Sequence, residues 1–170
     1  GRQIVQAVAY LHNRKPPILH RDIKPANVLV TNESFVTKLC DMGLGKIKSA
    51  QTTSYVTGTS IAGTPNYMSP ECLVEKATAT TKADVWSLAC TLLELFTGKD
   101  CWEQVEDYVT QSEQKEDSSS AICLCLKAKE LPRAVQYILP SNENLKQILL
   151  SCFNYDASKR PDAIDILKYF

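Results

Sequence analysis

No stretch of eighteen apolar residues occurs in the 170-residue sequence, which excludes a membrane-crossing helix. No basic-then-apolar leader with a small-residue cleavage site is visible, so a secretory signal is not expected. The sequon Asn32-Glu33-Ser34 then reads as a chance match. Net charge is missing too: nineteen basic side chains offset nineteen acidic ones, which removes any global pull toward nucleic acid or an anionic membrane. No internal repeat is present, which argues against a solenoid or propeller. The seven cysteines have no framework spacing. Cys40, Cys72, Cys90 and Cys101 are isolated, and Cys123 with Cys125 forms a C-x-C, not the C-x-x-C of a zinc or thioredoxin site. They read as reduced, mostly buried thiols of a cytoplasmic or nuclear protein.

What is present is an ordinary globular composition, at a length that suits one domain with a substantial core. Charge is uneven along it. Residues 1–85 hold ten basic and six acidic side chains, and residues 86–170 hold nine basic and thirteen acidic. A basic first half suits a phosphate-bearing ligand, and it suits plain surface scatter equally well.

By Ile4 a helical face is already running, through Ala7, Val8 and Leu11, with no capping residue before it. That start suggests a fragment lacking an N-terminal part, or else a trimmed N-terminus. The helix should end near Asn13, before Lys15-Pro16-Pro17. Val28–Val30 and Phe35–Leu39, around the polar Thr31–Ser34, predict a small hairpin. Residues 43–68 are rich in Gly, Ser and Thr and lack a period, which predicts a functional or mobile loop. Val85, Leu88, Ala89, Leu92, Leu93 and Phe96 predict a buried central helix over 82–97, ended by Gly98. The polar run 111–120 reads as a surface insertion. Further helices are predicted over about 102–110, 120–130, 142–154 and 161–169, with Ser120 and Asn142 as caps and Pro161 in a first turn. The sum is an α+β fold, mainly helical, with one small β-hairpin.

Chemistry concentrates in His20-Arg21-Asp22-Ile23-Lys24-Pro25-Ala26-Asn27, which puts an acid, a cation and an amide on one short loop. Asp41-Met42-Gly43 follows the hairpin, which returns the chain near its start, so Asp41 can face Asn27. The convergence offers hard oxygen ligands for Mg²⁺, a lysine for phosphate and a carboxylate.

This pattern resembles the eukaryotic protein kinases, in the C-terminal lobe of their catalytic domain. H-R-D-x-K-x-x-N is met in full by residues 20–27. Asp41-Met42-Gly43 sits where the family has D-F-G, and the segment Gly63 to Glu71 resembles the loop ending in A-P-E. Asp84-Val85-Trp86-Ser87 resembles the opening of the family's central helix, and Lys159-Arg160-Pro161 the pattern before its last helix. The likeness runs over essentially all of residues 1–170, with an activation segment at about 41–71.

The resemblance implies transfer of the γ-phosphoryl of Mg-ATP to protein hydroxyls, with ATP and Mg²⁺ as cofactors. Asp22 would accept or orient the hydroxyl proton. Lys24 would neutralise the γ-phosphoryl, and Asn27 and Asp41 would hold Mg²⁺. Leu29 would lie under the adenine ring, or be plain core. Lys24 and Thr64 match the serine/threonine class, so the expected partners are proteins with Ser/Thr acceptors, with no nucleic acid or membrane. Arg21 and Lys46 would receive a phosphate from the activation loop, with Thr52, Thr53, Ser54, Thr57, Thr59 and Ser60 as candidate sites. His20 reads as a scaffold residue stacking on Met42, which stands where the family has Phe. Glu71 and Arg160 resemble a buried ion pair, and Asp84 a support under the catalytic loop. Cys40 is read as an inert thiol, a reactive one near the nucleotide being the alternative. The sequence contains no G-x-G-x-x-G and no V-A-I-K lysine, so the family's N-terminal lobe is expected to be absent and the chain inactive by itself. A pseudokinase-like binding module is the other reading, kept open by Met42.

Overall fold

A helix buried on nearly every side organises the chain. In the computed structural model, residues 1–31, 35–41, 46–47, 56–57, 60–61, 64–103, 118–138 and 143–170 are described. The central helix, α3 (Thr81–Thr97), is buried continuously from Ala83 to Leu93. An apolar stripe alone would not allow this, because Ser87 and Thr91 lie inside it. Both hydroxyls are satisfied: Ser87 Oγ donates to Tyr67 O at 2.7 Å with Ala83 O also in reach at 3.2 Å, and Thr91 Oγ1 turns back to donate to Ser87 O. Buried hydroxyls satisfied in this way avoid the desolvation penalty. Thr80 caps the start by accepting from Lys82 N, and Gly98 ends the helix at φ 66. That left-handed conformation suits glycine, and Gly98 N closes the end on Glu94 O.

Six α-helices and three two-stranded antiparallel ladders are present among the described residues. The helix α1 (Arg2–His12) packs on α6 (Ala163–Ile166) and on the hairpin. Its buried face is Ile4, Val5, Val8 and Ala9, while Ala7 and Leu11 are only half-buried. The predicted stripe is thus rotated, because α1 is wedged between α6 on one side and the hairpin on another. The hairpin β2 (Val28–Val30) and β3 (Thr37–Leu39) pairs Val28 with Leu39 and Val30 with Thr37. Phe35 and Val36 lie before β3, Phe35 at φ 50 in the turn.

One hairpin was expected, and two further ladders correct that. β1 (Ile18–Leu19) pairs with β4 (Lys46–Ile47), and β5 (Val56–Thr57) with β6 (Ser60–Ile61). Two residues per strand leave no alternation to read.

A short helix α2 (Pro70–Leu73) was also not anticipated. α4 (Ser118–Lys127) begins and ends earlier than predicted, and Ser120 lies inside it rather than capping it. The last three residues of the polar run are therefore its first turn, while 111–117 lie outside the described residues. Its end is a Schellman arrangement built on lysine: Lys129 N bonds Leu126 O and Glu130 N bonds Cys125 O, with Lys129 at φ 58. α5 (Glu143–Cys152) falls where expected, and Asn142 lies outside the described residues. Asp162 is the N-cap of α6, so Pro161 stands ahead of the helix and not in its first turn. Residues 101–103 form a turn where a helix was predicted, and 104–110 lie outside the described set.

The core gathers on α3. Trp86 meets Phe153 and Tyr155 edge-on at ring-centroid distances of 5.2 and 5.6 Å, the geometry aromatic quadrupoles favour. All seven cysteines are free thiols, five of them buried.

Candidate active site

The loop between β1 and β2 is held from beneath by one carboxylate. Asp84, buried in the first turn of α3, accepts His20 N on Oδ2 and Arg21 N on Oδ1, both at 2.8 Å. Arg21 sits at φ 70, a conformation a non-glycine residue keeps only when its surroundings over-determine it. The two bonds to Asp84 supply that constraint, one residue before Asp22. His12 Nε2 also reaches Asp84 Oδ2, at 3.0 Å.

His20 is fully buried and links the loop to the residue that follows β3. Its Nδ1 accepts from Asp22 N at 3.4 Å, so Nε2 carries the proton and donates to Cys40 O at 3.1 Å. Cys40 is gripped from the other side as well, its N–H donating to Asn27 O at 2.9 Å and its Sγ at 3.3 Å. Asp41 follows directly, exposed and at φ 59. The topology thus delivers Asp41 next to the Asn27 backbone. Met42, the expected stacking partner of His20, lies outside the described residues.

Four of the predicted residues meet in one cluster. Lys24 Nζ lies 2.9 Å from Asp22 Oδ2 and donates to Thr64 Oγ1 at 2.7 Å. Thr64 Oγ1 donates to Asp22 Oδ1 at 3.2 Å. Asn27 Nδ2 donates to Asp22 O at 2.7 Å and to Asp22 Oδ2 at 3.0 Å. Burial pushes the Asp22 carboxyl up, but the hydrogen bonds from Lys24, Asn27 and Thr64 together outweigh it and hold the group below its ordinary value. Asp22 is therefore a carboxylate at neutral pH.

Thr64 comes from 40 positions beyond Lys24 and is fixed through the turn Pro65–Tyr67. Ser87 Oγ donates to Tyr67 O, Tyr67 OH donates to Glu94 Oε2 at 2.9 Å, and Trp102 Nε1 donates to Asn66 O at 3.1 Å. Sequence reading missed these bolts, and His12 with them, since none belongs to a local pattern.

The support pair is present. Arg160, 2% exposed, meets Glu71 in two parallel bonds of 2.7 and 2.8 Å. It also donates to Asn154 O and Lys82 O, and its guanidinium lies 5.0 Å from the Trp86 ring. Leu29 is 56% exposed, which removes its reading as plain core. Cys40 is half-buried with its thiol on a carbonyl. Arg21 is half-buried, and its Nε has no hydrogen-bond partner among the described residues. Lys46 is placed by its backbone in β4, and its side chain lies outside the described set. Of the six candidate phosphosites, Thr57 and Ser60 are placed by their backbones in β5 and β6, and Thr52, Thr53, Ser54 and Thr59 lie outside the described residues.

The donor set can be tested for fit to a metal. Among the described residues no cluster of three or more His, Cys, Asp or Glu exists, so a closed protein cage for zinc or calcium is not formed there. An amide whose nitrogen is spent on Asp22 keeps its oxygen as a hard donor, and Asp41 follows within the same junction. A sparse, oxygen-only set suits Mg²⁺, which completes its shell with water and substrate phosphates.

Comparison with known proteins gives the family. A family model described as protein kinase domain matches residues 1–170. Mitogen-activated protein kinase kinase kinase 3 of Arabidopsis thaliana is 32% identical over 168 residues, 99% of this chain and 24% of that protein. The serine/threonine-protein kinase CTR1 of Arabidopsis thaliana is 31% identical over 164 residues, 96% of the chain and 18% of that protein. MAP kinase kinase kinase wis4 of Schizosaccharomyces pombe is 32% identical over 179 residues, 98% of the chain and 11% of that protein. The chain thus spans about a tenth to a quarter of the length of these relatives. With a match along its whole length, the chain belongs to the protein kinase domain family.

Proposed function

We propose that this chain carries the acceptor side and the metal-binding residues of a serine/threonine kinase site, which transfers the γ-phosphoryl of Mg-ATP to protein hydroxyls. The observation that carries the reading is the cluster in which Asp22 accepts from Lys24, Thr64 and Asn27 at once. In the transfer, a bond forms between acceptor oxygen and phosphorus, the bond from phosphorus to the β–γ bridging oxygen breaks, and ADP leaves. The acceptor proton passes to Asp22. A carboxylate held below its ordinary range is a weak base, so Asp22 mainly orients the hydroxyl and takes the proton late. That suits a loose transition state, which needs positioning more than proton abstraction. Lys24 faces both Asp22 and Thr64 and is placed to neutralise charge on the moving phosphoryl.

Asn27, through its amide oxygen, and Asp41 would hold Mg²⁺, which when bound neutralises phosphate charge. Leu29 offers an exposed apolar face to the adenine ring. Arg21, with Nε unfilled, is the receiver for an activation-loop phosphate. The C-lobe assignment and the limits 41–71 and 111–120 belong to the same proposal. So does a cytoplasmic or nuclear location, which seven free thiols support. No G-x-G-x-x-G occurs in the sequence, so the 170 residues alone are expected to bind ATP weakly and to lack turnover.

The test is phosphoryl transfer by the full-length polypeptide to a mixture of Ser, Thr and Tyr peptides. Incorporation on Ser and Thr, lost in Asp22→Asn, is expected. Equal activity in that variant contradicts the role of Asp22, and no transfer by the unaltered polypeptide favours the binding-module reading.

A further inference from the structure

We propose that Trp102 is a positioning residue for the Asp22 carboxylate, acting through the turn Pro65–Tyr67 and Thr64. The inference rests on the function proposed above. Trp102 lies in the turn beyond the end of α3 and is 4% exposed. Its Nε1 donates to Asn66 O at 3.1 Å, a contact across 36 positions. The donor is itself held in place. Trp102 N donates to Asp100 Oδ1 at 2.8 Å, Cys101 N to Glu94 Oε1 at 3.2 Å, and the Cys101 thiol to Cys90 O at 3.3 Å. Ala134 N, in the turn Arg133–Tyr137, donates to Cys101 O at 3.3 Å. The indole therefore projects from a backbone fastened to α3 on one side and to that turn on the other, and it offers Asn66 a fixed point.

The receiving turn needs such a point. Its three residues are only half-buried, and its own bonds are internal, from Tyr67 N to Thr64 O at 3.0 Å and from Met68 N to Pro65 O at 3.1 Å. The bonds with Ser87 and Glu94 hold Tyr67, at the far end of the turn from Thr64. Nearer Thr64, the indole takes the Asn66 carbonyl, while the Asn66 side-chain amide makes only a long contact of 3.5 Å to Asp100 Oδ2. Without the indole N–H, the Asn66 peptide must turn toward water, since a carbonyl left unpaired out of solvent is costly. Thr64 is two residues away and shares the first bond of the turn. Its contact to Asp22, at 3.2 Å, already exceeds the roughly 2.5–3.0 Å of an O–H···O bond, so a small displacement breaks it. The path is thus Trp102 to Asn66, Asn66 to Thr64, and Thr64 to the Asp22 carboxylate, and the indole need not touch the reacting groups.

The test uses two replacements that remove the N–H: Trp102→Phe, which keeps an aromatic ring, and the benzothienyl analogue of tryptophan at the same position, which keeps the whole outline with sulfur in place of N–H. Amide hydrogen exchange of the chain, read by NMR, should quicken about fivefold at Tyr67 and Met68, whose amides close the turn, in both variants. Leu88 and Leu92, in the middle of α3, should keep their rates. Unchanged exchange at Tyr67 and Met68 overturns the proposal, as does a rise spread evenly over the turn and α3. A rise in Trp102→Phe that the benzothienyl variant does not reproduce assigns the effect to lost packing and also overturns it. In the full-length polypeptide, Trp102→Phe should lower kcat about fivefold with KM for ATP unchanged. Because the effect runs through one hydroxyl, the same change should cost nothing further in a Thr64→Val background, and losses that simply multiply would overturn the path through Thr64. Absence of transfer in the unaltered polypeptide defeats the functional reading alone, and the exchange rates at Tyr67 and Met68 still decide for or against Trp102.

Discussion

Thr64 Oγ1 lies 3.2 Å from Asp22 Oδ1, a contact between residues 42 positions apart. The hydroxyl accepts from Lys24 and donates to Asp22, so it passes the lysine's influence to the carboxylate. Thr64→Val keeps the volume and removes the relay. It should lower kcat about tenfold, the scale of one hydrogen bond to a charged group, with little change in KM for ATP. Steady-state kinetics of the full-length polypeptide checks this.

Asp22→Asn removes the charge and keeps the shape. A lost proton acceptor and orienter should cost about 10²–10⁴ in kcat, while the urea midpoint falls only by the small contribution of one lowered carboxylate. A fall in stability that matched the fall in activity would point to a structural role.

The pH dependence has a definite sign. The folded-state pKa of Asp22 lies below its ordinary 3.8, so its stabilising contribution is complete above 3.8 and is lost as pH falls below that through the folded value. Comparing urea midpoints of the chain and of Asp22→Asn should give a constant gap from neutral pH down to about 5 that closes in stronger acid. Lys24→Met removes a hydrogen bond and a positive charge that lower this pKa, so the folded value should rise toward 3.8, the acid limb should end at higher pH and the gap should shrink.

The overall plan could be read before the structure because it rests on local rules. α3 was visible through its apolar spacing and Gly98, the hairpin through its β-rich runs and polar turn, and α1 through its period. The loop residues Asp22, Lys24 and Asn27 were visible because eight consecutive positions carry them. The ladder of β1 with β4 was not, because Ile18 pairs with Ile47 across a long excursion. His12 was hidden for the same reason: its meaning lies in Asp84, on another helix. Pro161 misled because prolines favour first turns, whereas here Asp162 caps the helix after it. The register of α1 shifted because the packing of neighbours, rather than the stripe alone, chose which residues to bury.

The Arg160–Glu71 pair should behave as a buried ion pair. Its guanidinium is fully buried and Glu71 only partly exposed. Glu71→Ala leaves a desolvated cation without its partner and should cost about 3–5 kcal/mol in urea unfolding.

Gly98 offers a milder test. A Cβ there meets nothing within 4 Å, so only its φ of 66 opposes substitution. Gly98→Ala should cost about 1 kcal/mol, measured by urea unfolding, and Gly98→Asn should cost less because asparagine tolerates that conformation.

The most direct measurement of the proposed metal–nucleotide site is paramagnetic broadening by Mn²⁺ with ATP, which reads weak binding as readily as tight. In the ¹⁵N-labelled chain, the Asn27 side-chain amide and the Asp41 backbone amide should broaden together, and Leu88 should stay sharp. Broadening at one of the two without the other, or at neither while distant amides broaden, would contradict a single Mg-ATP site at Asn27 and Asp41.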